Sequence, residues 1–268
     1  MDLSRLRPVG DVSVGAWIAP RLGPFGSAVG SIVPRGYEAY ARVLHPVARA
    51  DDPLVSWADV CATTGHEPHA LMAWDDIAGV TETEVDRSVV RTSAWPGPEP
   101  EEGNLPPRAL GALCRLLESH TSTPDRGIFA LWDGYGWIHG SPSVGMLRPE
   151  RSWFPRLTRS LRRRRASVPS GLPKEAVVDL PRLQHPGRDY LLFSGSLDAA
   201  AAMGWQAEED WFLAQSPNLF WPDDHAWCVA TEIDLRSTLV GGTEQLIAAV
   251  LAEHELEAWP VGADDPVD

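Results

Sequence analysis

The densest gathering of reactive side chains in this sequence is the run WPDDHAWC, which places Asp223, Asp224, His225 and Cys228 within six residues. Two carboxylates, an imidazole and a thiol are the groups a small-molecule hydrolase or transferase would use, with a carboxylate or His225 as acid or base. They also suit a divalent metal, but consecutive side chains on an extended chain point to opposite sides, so Asp223 and Asp224 cannot converge on one ion. His66 and His69 could supply further ligands, yet they lie in GHEPH, where the proline spoils the helical spacing a pair of histidine ligands needs. No metal and no cofactor is expected. Cys228 reads as a thiol nucleophile only if it is not what mid-strand cysteines usually are, a small buried hydrophobe. The structural reading of the cluster is a turn at the entrance of a strand, rich in Pro217, Asn218 and Pro222.

After that turn, AWCVATEIDL alternates. Trp227, Val229, Thr231, Ile233 and Leu235 fall on one face; Cys228, Ala230, Glu232 and Asp234 fall on the other. Glu232 and Asp234, two apart on the acidic face, form a candidate acid/base pair or a solvated binding surface. TEQLIAAVLAEHE then reads as a helix opened by Thr243, and ELEAWPV as a last strand, giving a βαβ-like unit or an antiparallel edge wrapped by a helix. Ser194, Gly195 and Ser196, at a strand-to-helix junction, offer a weak anion-binding turn.

Upstream, SWADVCATTG has Ser56 as N-cap and Gly65 as C-cap of a short helix. PRALGALCRLLESH carries Leu110, Leu113, Cys114 and Leu117 at amphipathic spacing. YEAYARVLHPV fits helix or strand. Residues 1–36 read as short strands between Gly and Pro turns, WPGPEPEEGNLPP as a surface loop that buries no face, and GIFALWDGYGWIHG as a hairpin about Asp133 and Gly134. RDYLLFSG is an apolar strand. The 141–173 stretch, with five prolines and no periodicity, reads as a mobile insertion. The expected fold is α+β: one domain over 1–268 with a mixed or mainly antiparallel sheet, a few helices, that insertion and an acidic tail at 263–268.

The chain has 268 residues and a net charge of -14, which repels nucleic acid and anionic lipid. Between 148 and 165, however, eight arginines face one glutamate, so a basic segment that includes Arg162, Arg163, Arg164 and Arg165 sits on an acidic body. Nucleic acid is expected to bind, if at all, through that segment. No apolar run is long enough to span a bilayer and no leader is visible, so a cytoplasmic protein is expected. Three widely spaced cysteines form neither a disulfide framework nor a zinc pair. Twelve tryptophans are the compositional anomaly, and Trp221 and Trp227, flanking the reactive run, are candidates for a binding surface.

VPRGYEAYARVLHPV, GRDYLLFSG and SPNLFWPDDHAWCVATEIDLRSTLVGG together resemble a group of uncharacterised actinobacterial proteins, a likeness that implies no activity, cofactor or catalytic residue. VPRGYEAYARVL alone resembles the proline and paired-aromatic segment of SMI1/KNR4-like immunity proteins. The leading expectation is a non-catalytic binding protein that engages a protein partner through an acidic, tryptophan-rich surface, immunity-like in kind. The hydrolase or transferase and an RNA-associated protein are the alternatives.

Overall fold

The structure, a computed structural model, describes residues 5–47 except 25 and 27, residues 55–139 except 86 and 87, residue 172, and residues 179–267 except 209 and 210. The arginine-rich segment, with Arg162 to Arg165, lies outside the described residues, as does nearly all of the expected insertion.

In chain order the strands are β1 (Arg7–Pro8), β2 (Ala39–Leu44), β3 (Thr81–Val85), β4 (Ser88–Thr92), β5 (Gly127–Trp132), β6 (Leu183–His185), β7 (Arg188–Gly195), β8 (Gly204–Glu208), β9 (Trp211–Ala214), β10 (Leu219–Pro222), β11 (Cys228–Ala230), β12 (Ser237–Gly242) and β13 (Ala258–Val261). The helices are α1 (Val29–Ile32), α2 (Trp57–Thr64), α3 (Trp74–Ile77), α4 (Pro107–Glu118) and α5 (Glu244–Ala252). The main sheet runs β1-β7-β5-β10-β11-β12-β2-β13, with β6 beside β1 on the outer edge of β7; every described pairing is antiparallel. The fold is α+β, as expected.

Both faces of this sheet are covered, which explains strands as apolar as LFWP. Phe129, Leu131, Phe193, Phe220, Val229 and Val240 face the α4 and α5 layer. Ala130, Leu192, Leu219, Trp221, Cys228 and Leu239 face Ile18, Val29 and Val33 of the N-terminal segment. The alternation at Trp227–Ala230 is therefore real, but both faces are core. α2 and α3 form a third cluster at the β2 end around Trp57 and Trp74. The buried Arg42 of β2 anchors it, donating from Nη1 to the Ala70 and Met72 carbonyls and lying over the Trp57 ring.

The cap signals hold. Ser56 and Asp59 form a capping box on α2, and Gly65 closes it at φ 82°. The Thr243 hydroxyl accepts from the Leu246 N–H at the start of α5. The strand, helix, strand unit is a split one: β12 and β13 are both antiparallel to β2, which lies between them, so they run parallel to each other with α5 as the crossover.

Three expectations are corrected. Residues 5–36 contribute only the two-residue β1; the remainder is short 3-10 turns and α1 laid across a sheet face, where prolines at 8, 20, 24 and 34 remove ladder donors. The 135–139 stretch is not a second strand but a 3-10 turn over Gly136–His139, because β7 and β10 already occupy both edges of β5. The 95–107 loop does bury residues: Asn104 and Leu105 are 4% and 1% exposed. In the acidic tail, the Ala263 and Asp265 carbonyls accept from the Gly30 and Val29 N–H groups and the Asp264 carboxylate pairs with Arg35.

Asn218 ties three strand ends together. Its side-chain oxygen accepts from the Trp132 N–H at 2.8 Å, and its amide donates to the Tyr135 hydroxyl at 3.0 Å and to the Thr231 carbonyl at 3.1 Å. Its own N–H reaches the Ala130 carbonyl, and its carbonyl accepts from Thr231. Asn218→Ala leaves at least two buried groups unsatisfied and should lower unfolding stability by about 3 kcal/mol in a urea titration. A loss below about 0.5 kcal/mol, the range of an ordinary surface change, would show that these bonds do not hold the strand ends.

Candidate functional site

The β10–β11 and β11–β12 connections lie at opposite ends of β11, so the candidate residues of the reactive run are divided between two places. At the first end Asp223 pairs with Arg126 at 3.0 Å. The Asp224 carboxylate accepts from the Ser122 N–H and hydroxyl, both at 2.7 Å, and from the Thr121 hydroxyl at 2.8 Å. Partial burial works against its charge, yet these bonds hold Asp224 below the usual carboxylate range. His225 is the one described non-glycine residue with positive φ, 55°, and its ring stacks on Trp17 at 4.4 Å. Partial burial, opposed by Asp223 and Asp224, keeps its imidazole below the usual range. Each of these groups thus serves a turn, as the structural reading of the run has it.

Cys228 is fully buried and burial pushes its thiol far up, so it offers no thiolate. Cys114 is likewise pushed up to about 12 by burial. Trp221 and Trp227 do not form a surface: both are 0% exposed, one packed on each face of the sheet, and Trp227 donates to the Leu117 carbonyl of α4. Burying an indole removes roughly 200 Å² from water, so exposing either ring for a partner would cost about 5 kcal/mol. At the Ser194 to Ser196 junction the Arg5 backbone packs on Gly195, where a Cβ would stand 2.5 Å from its carbonyl oxygen, and Ser194 and Gly195 line a hollow of about 550 Å³ with Arg5, Arg7, Arg126 and Asp223. His66 and His69 are exposed on the loop after α2. Among the described residues Glu253, His254 and Glu255 could bring ligand atoms within 4.8 Å, but the Glu255 carboxylate is taken by Arg108 and Arg115.

The second end of β11 is different. The strand stops at Ala230, and Glu232 and Asp234 lie in a turn closed by the Leu235 N–H on the Glu232 carbonyl, not on the strand face the alternation predicts. Both carboxylates converge on one arginine. Arg188 donates from Nε and Nη2 to Glu232 Oε1 at 3.0 and 2.6 Å, and from Nη2 to Asp234 Oδ2 at 2.7 Å. Its guanidinium also lies over Trp132, 5.9 Å from the ring centre. The side chains of Arg188 and Glu232 are 17% and 18% exposed, while Asp234 is 74% exposed.

Arg188 and His185 owe their positions to HPGR. Pro186 and Gly187, the latter at φ 76°, occupy the two central places of a tight turn that needs a fixed φ followed by a positive one, and the register pairs His185 with Arg188 across it. Sequence reasoning left both residues out of the site; the Pro-Gly pair between short runs was the available signal. His185 packs edge-on against Tyr190 at 5.4 Å, and its buried Nε2 has no hydrogen-bond partner among the described residues. Burial lowers its pKa to about 4, so the ring is neutral at pH 7.

Two hollows meet at this hairpin. One, of about 410 Å³, lies between the sheet and Leu22, Gly23, Ser31 and Ile32 of the N-terminal segment and is walled by Leu22, Ile32, Leu219 and Leu235, with His185, Tyr190, Arg188, Glu232 and Asp234 at its polar end. The other, about 430 Å³, opens over Trp132, Asp133 and Asp189 and shares His185 and Arg188 with the first. Around the same turn, Arg236 pairs with Glu99 and Glu102, both at 2.8 Å. The arrangement can bind and orient. Ser31 and the Tyr190 phenol line the first hollow together with the His185 imidazole and the two carboxylates. Comparison of the chain with protein-family models, curated proteins and solved structures returns no match.

The buried histidines generate a pH prediction. His45, fully buried, donates from Nδ1 to the Glu101 carbonyl at 2.7 Å, which leaves Nε2 to accept from the Thr238 hydroxyl at 2.9 Å. Burial lowers its pKa to about 4, the Glu101 bond pushes it upward in part, and Arg42 lowers it further. Because the folded pKa lies below the unfolded one, His45 contributes stability in full above about pH 6.5 and loses it as pH falls toward 4. Unfolding stability should therefore fall by about 1.4 kcal/mol per pH unit for this histidine alone across that window, and His45→Gln should flatten the fall. A flat profile between pH 7 and 5 in the unaltered protein would contradict the buried neutral ring.

Proposed function

We propose that the protein is a non-catalytic binding protein that engages a basic protein partner through the acidic rim at the 231–236 turn. The observation that supports this is the surplus of carboxylates there: Glu232 and Asp234 share the single charge of Arg188, Asp75, Glu99 and Glu102 share the two charges of Arg91 and Arg236, and the exposed Asp189 lies beside the half-buried Trp132. A ring with one wet edge amid net negative charge suits a partner presenting arginine or lysine. The tryptophan contribution comes from Trp132 rather than from Trp221 and Trp227.

Rim charges act mainly on association, so binding should be steeply salt-dependent. Asp189→Asn and Asp234→Asn change exposed side chains and should leave Tm within about 1–2 °C while together weakening capture of the cognate partner from host lysate about tenfold at low salt. A partner retained equally by this double variant and at high salt would overturn the acidic-rim reading.

A further inference from the structure

We propose that the cleft between the sheet and the Leu22 and Ile32 side of the N-terminal segment is a binding site for a small organic cation, an ammonium or guanidinium group on a compact apolar body. At about 410 Å³ it falls within the range of small-molecule sites, and Leu22, Ile32, Leu219 and Leu235 supply walls that favour an apolar occupant. The choice of charge comes from its polar end.

Arg188 spends its bonds on Glu232 Oε1, Asp234 Oδ2 and the Gly187 carbonyl. Glu232 Oε2 and Asp234 Oδ1 accept no hydrogen bond among the described residues, so two carboxylate oxygens are left to receive donors. One guanidinium against two carboxylates leaves the group with a charge of about -1 at neutral pH. The other two polar groups do not change that sum. Burial keeps the His185 imidazole neutral, and burial together with Glu232 pushes the Tyr190 phenol far above its usual range, so it stays protonated. Neither the His185 Nε2 nor the Tyr190 hydroxyl has a hydrogen-bond partner among the described residues, and both groups lie at the cleft wall. An anion would find one remaining Nη1 hydrogen of Arg188, against the net negative charge of Glu232 and Asp234. A cation meets two open acceptors, a neutral imidazole and a phenol, with its apolar body against leucine and isoleucine.

The site goes beyond the partner-binding reading and does not depend on it: the two share Glu232 and Asp234, but the apolar wall that Leu22 and Ile32 supply lies on the N-terminal segment, off the rim. The test is calorimetric titration of the whole chain with three probes of one shape: phenethylamine, phenethyl alcohol and hydrocinnamate. The amine should bind about tenfold more tightly than the alcohol or the carboxylate, the difference that one charged contact supplies. Asp234→Asn, at an exposed position, should remove about that tenfold from the amine and leave the alcohol unchanged. Ile32→Trp should fill the cleft and abolish amine binding while leaving partner capture intact, which separates failure here from failure of the rim. Equal affinity for the three probes, preference for the carboxylate, or no heat from the amine up to about 10 mM, where even a fragment of modest efficiency binds, would overturn the proposal. Should Ile32→Trp fail to fold, the Asp234→Asn comparison decides alone, and amine binding indifferent to that change counts against it.

Discussion

The position of the whole acidic end of the sheet depends on one buried amide. Asn218 is 2% exposed and spends side-chain and backbone groups on β5, on the turn after β5 and on the end of β11. A buried amide that loses a partner incurs a desolvation cost of about 1–3 kcal/mol, so these strand ends cannot move independently. Because β11 ends where Asn218 holds the Thr231 carbonyl, the next residues have little choice of path. Glu232 is delivered toward β7, where the Pro186 and Gly187 turn has already placed Arg188. A second polar chain adds rigidity, with the Thr231 hydroxyl on Thr238 at 2.9 Å and Thr238 on His45.

This placement makes physical sense of an acidic chain. Half-buried carboxylates are tolerable only when paired, and arginine suits the task because its planar fork serves two oxygens while its face rests on an aromatic ring. Arg188 does both, between Glu232, Asp234 and Trp132. Arg236 repeats the double pairing with Glu99 and Glu102. Each arginine is outnumbered, so the rim stays negative even where it is paired. That residual charge, beside an apolar cleft on one side and a half-buried indole on the other, is what gives this end of the molecule a chemical preference.

The sequence made local structure legible wherever a residue's type settles its own backbone. Ser56, Gly65 and Thr243 mark helix ends by capping chemistry and Pro107 by its fixed φ at the first helical position, and three helices stand where those marks put them. Alternation at Trp227–Ala230 was also legible, but it cannot say where a strand stops or whether the second face is wet. The N-terminal segment covers that second face, so Trp221 and Cys228 are core although nothing near them in sequence says so. The site was illegible for a related reason: Glu232 and Arg188 are 44 positions apart, and only the strand order brings them together. The reactive run at 223–228 drew attention by density, whereas the chemistry gathers where distant turns meet.

The account rests on Arg188 holding the carboxylates of the 231–236 turn at the edge of the cleft. A double-mutant cycle with Arg188→Met, Glu232→Ala and the two combined, followed by urea unfolding, measures that contact directly. For a half-buried, charge-assisted pair the coupling energy should be about 1–3 kcal/mol in favour of the pair, and largely resistant to salt. Single changes that add to within about 0.5 kcal/mol would show the two side chains to be independent and would contradict the placement of the site.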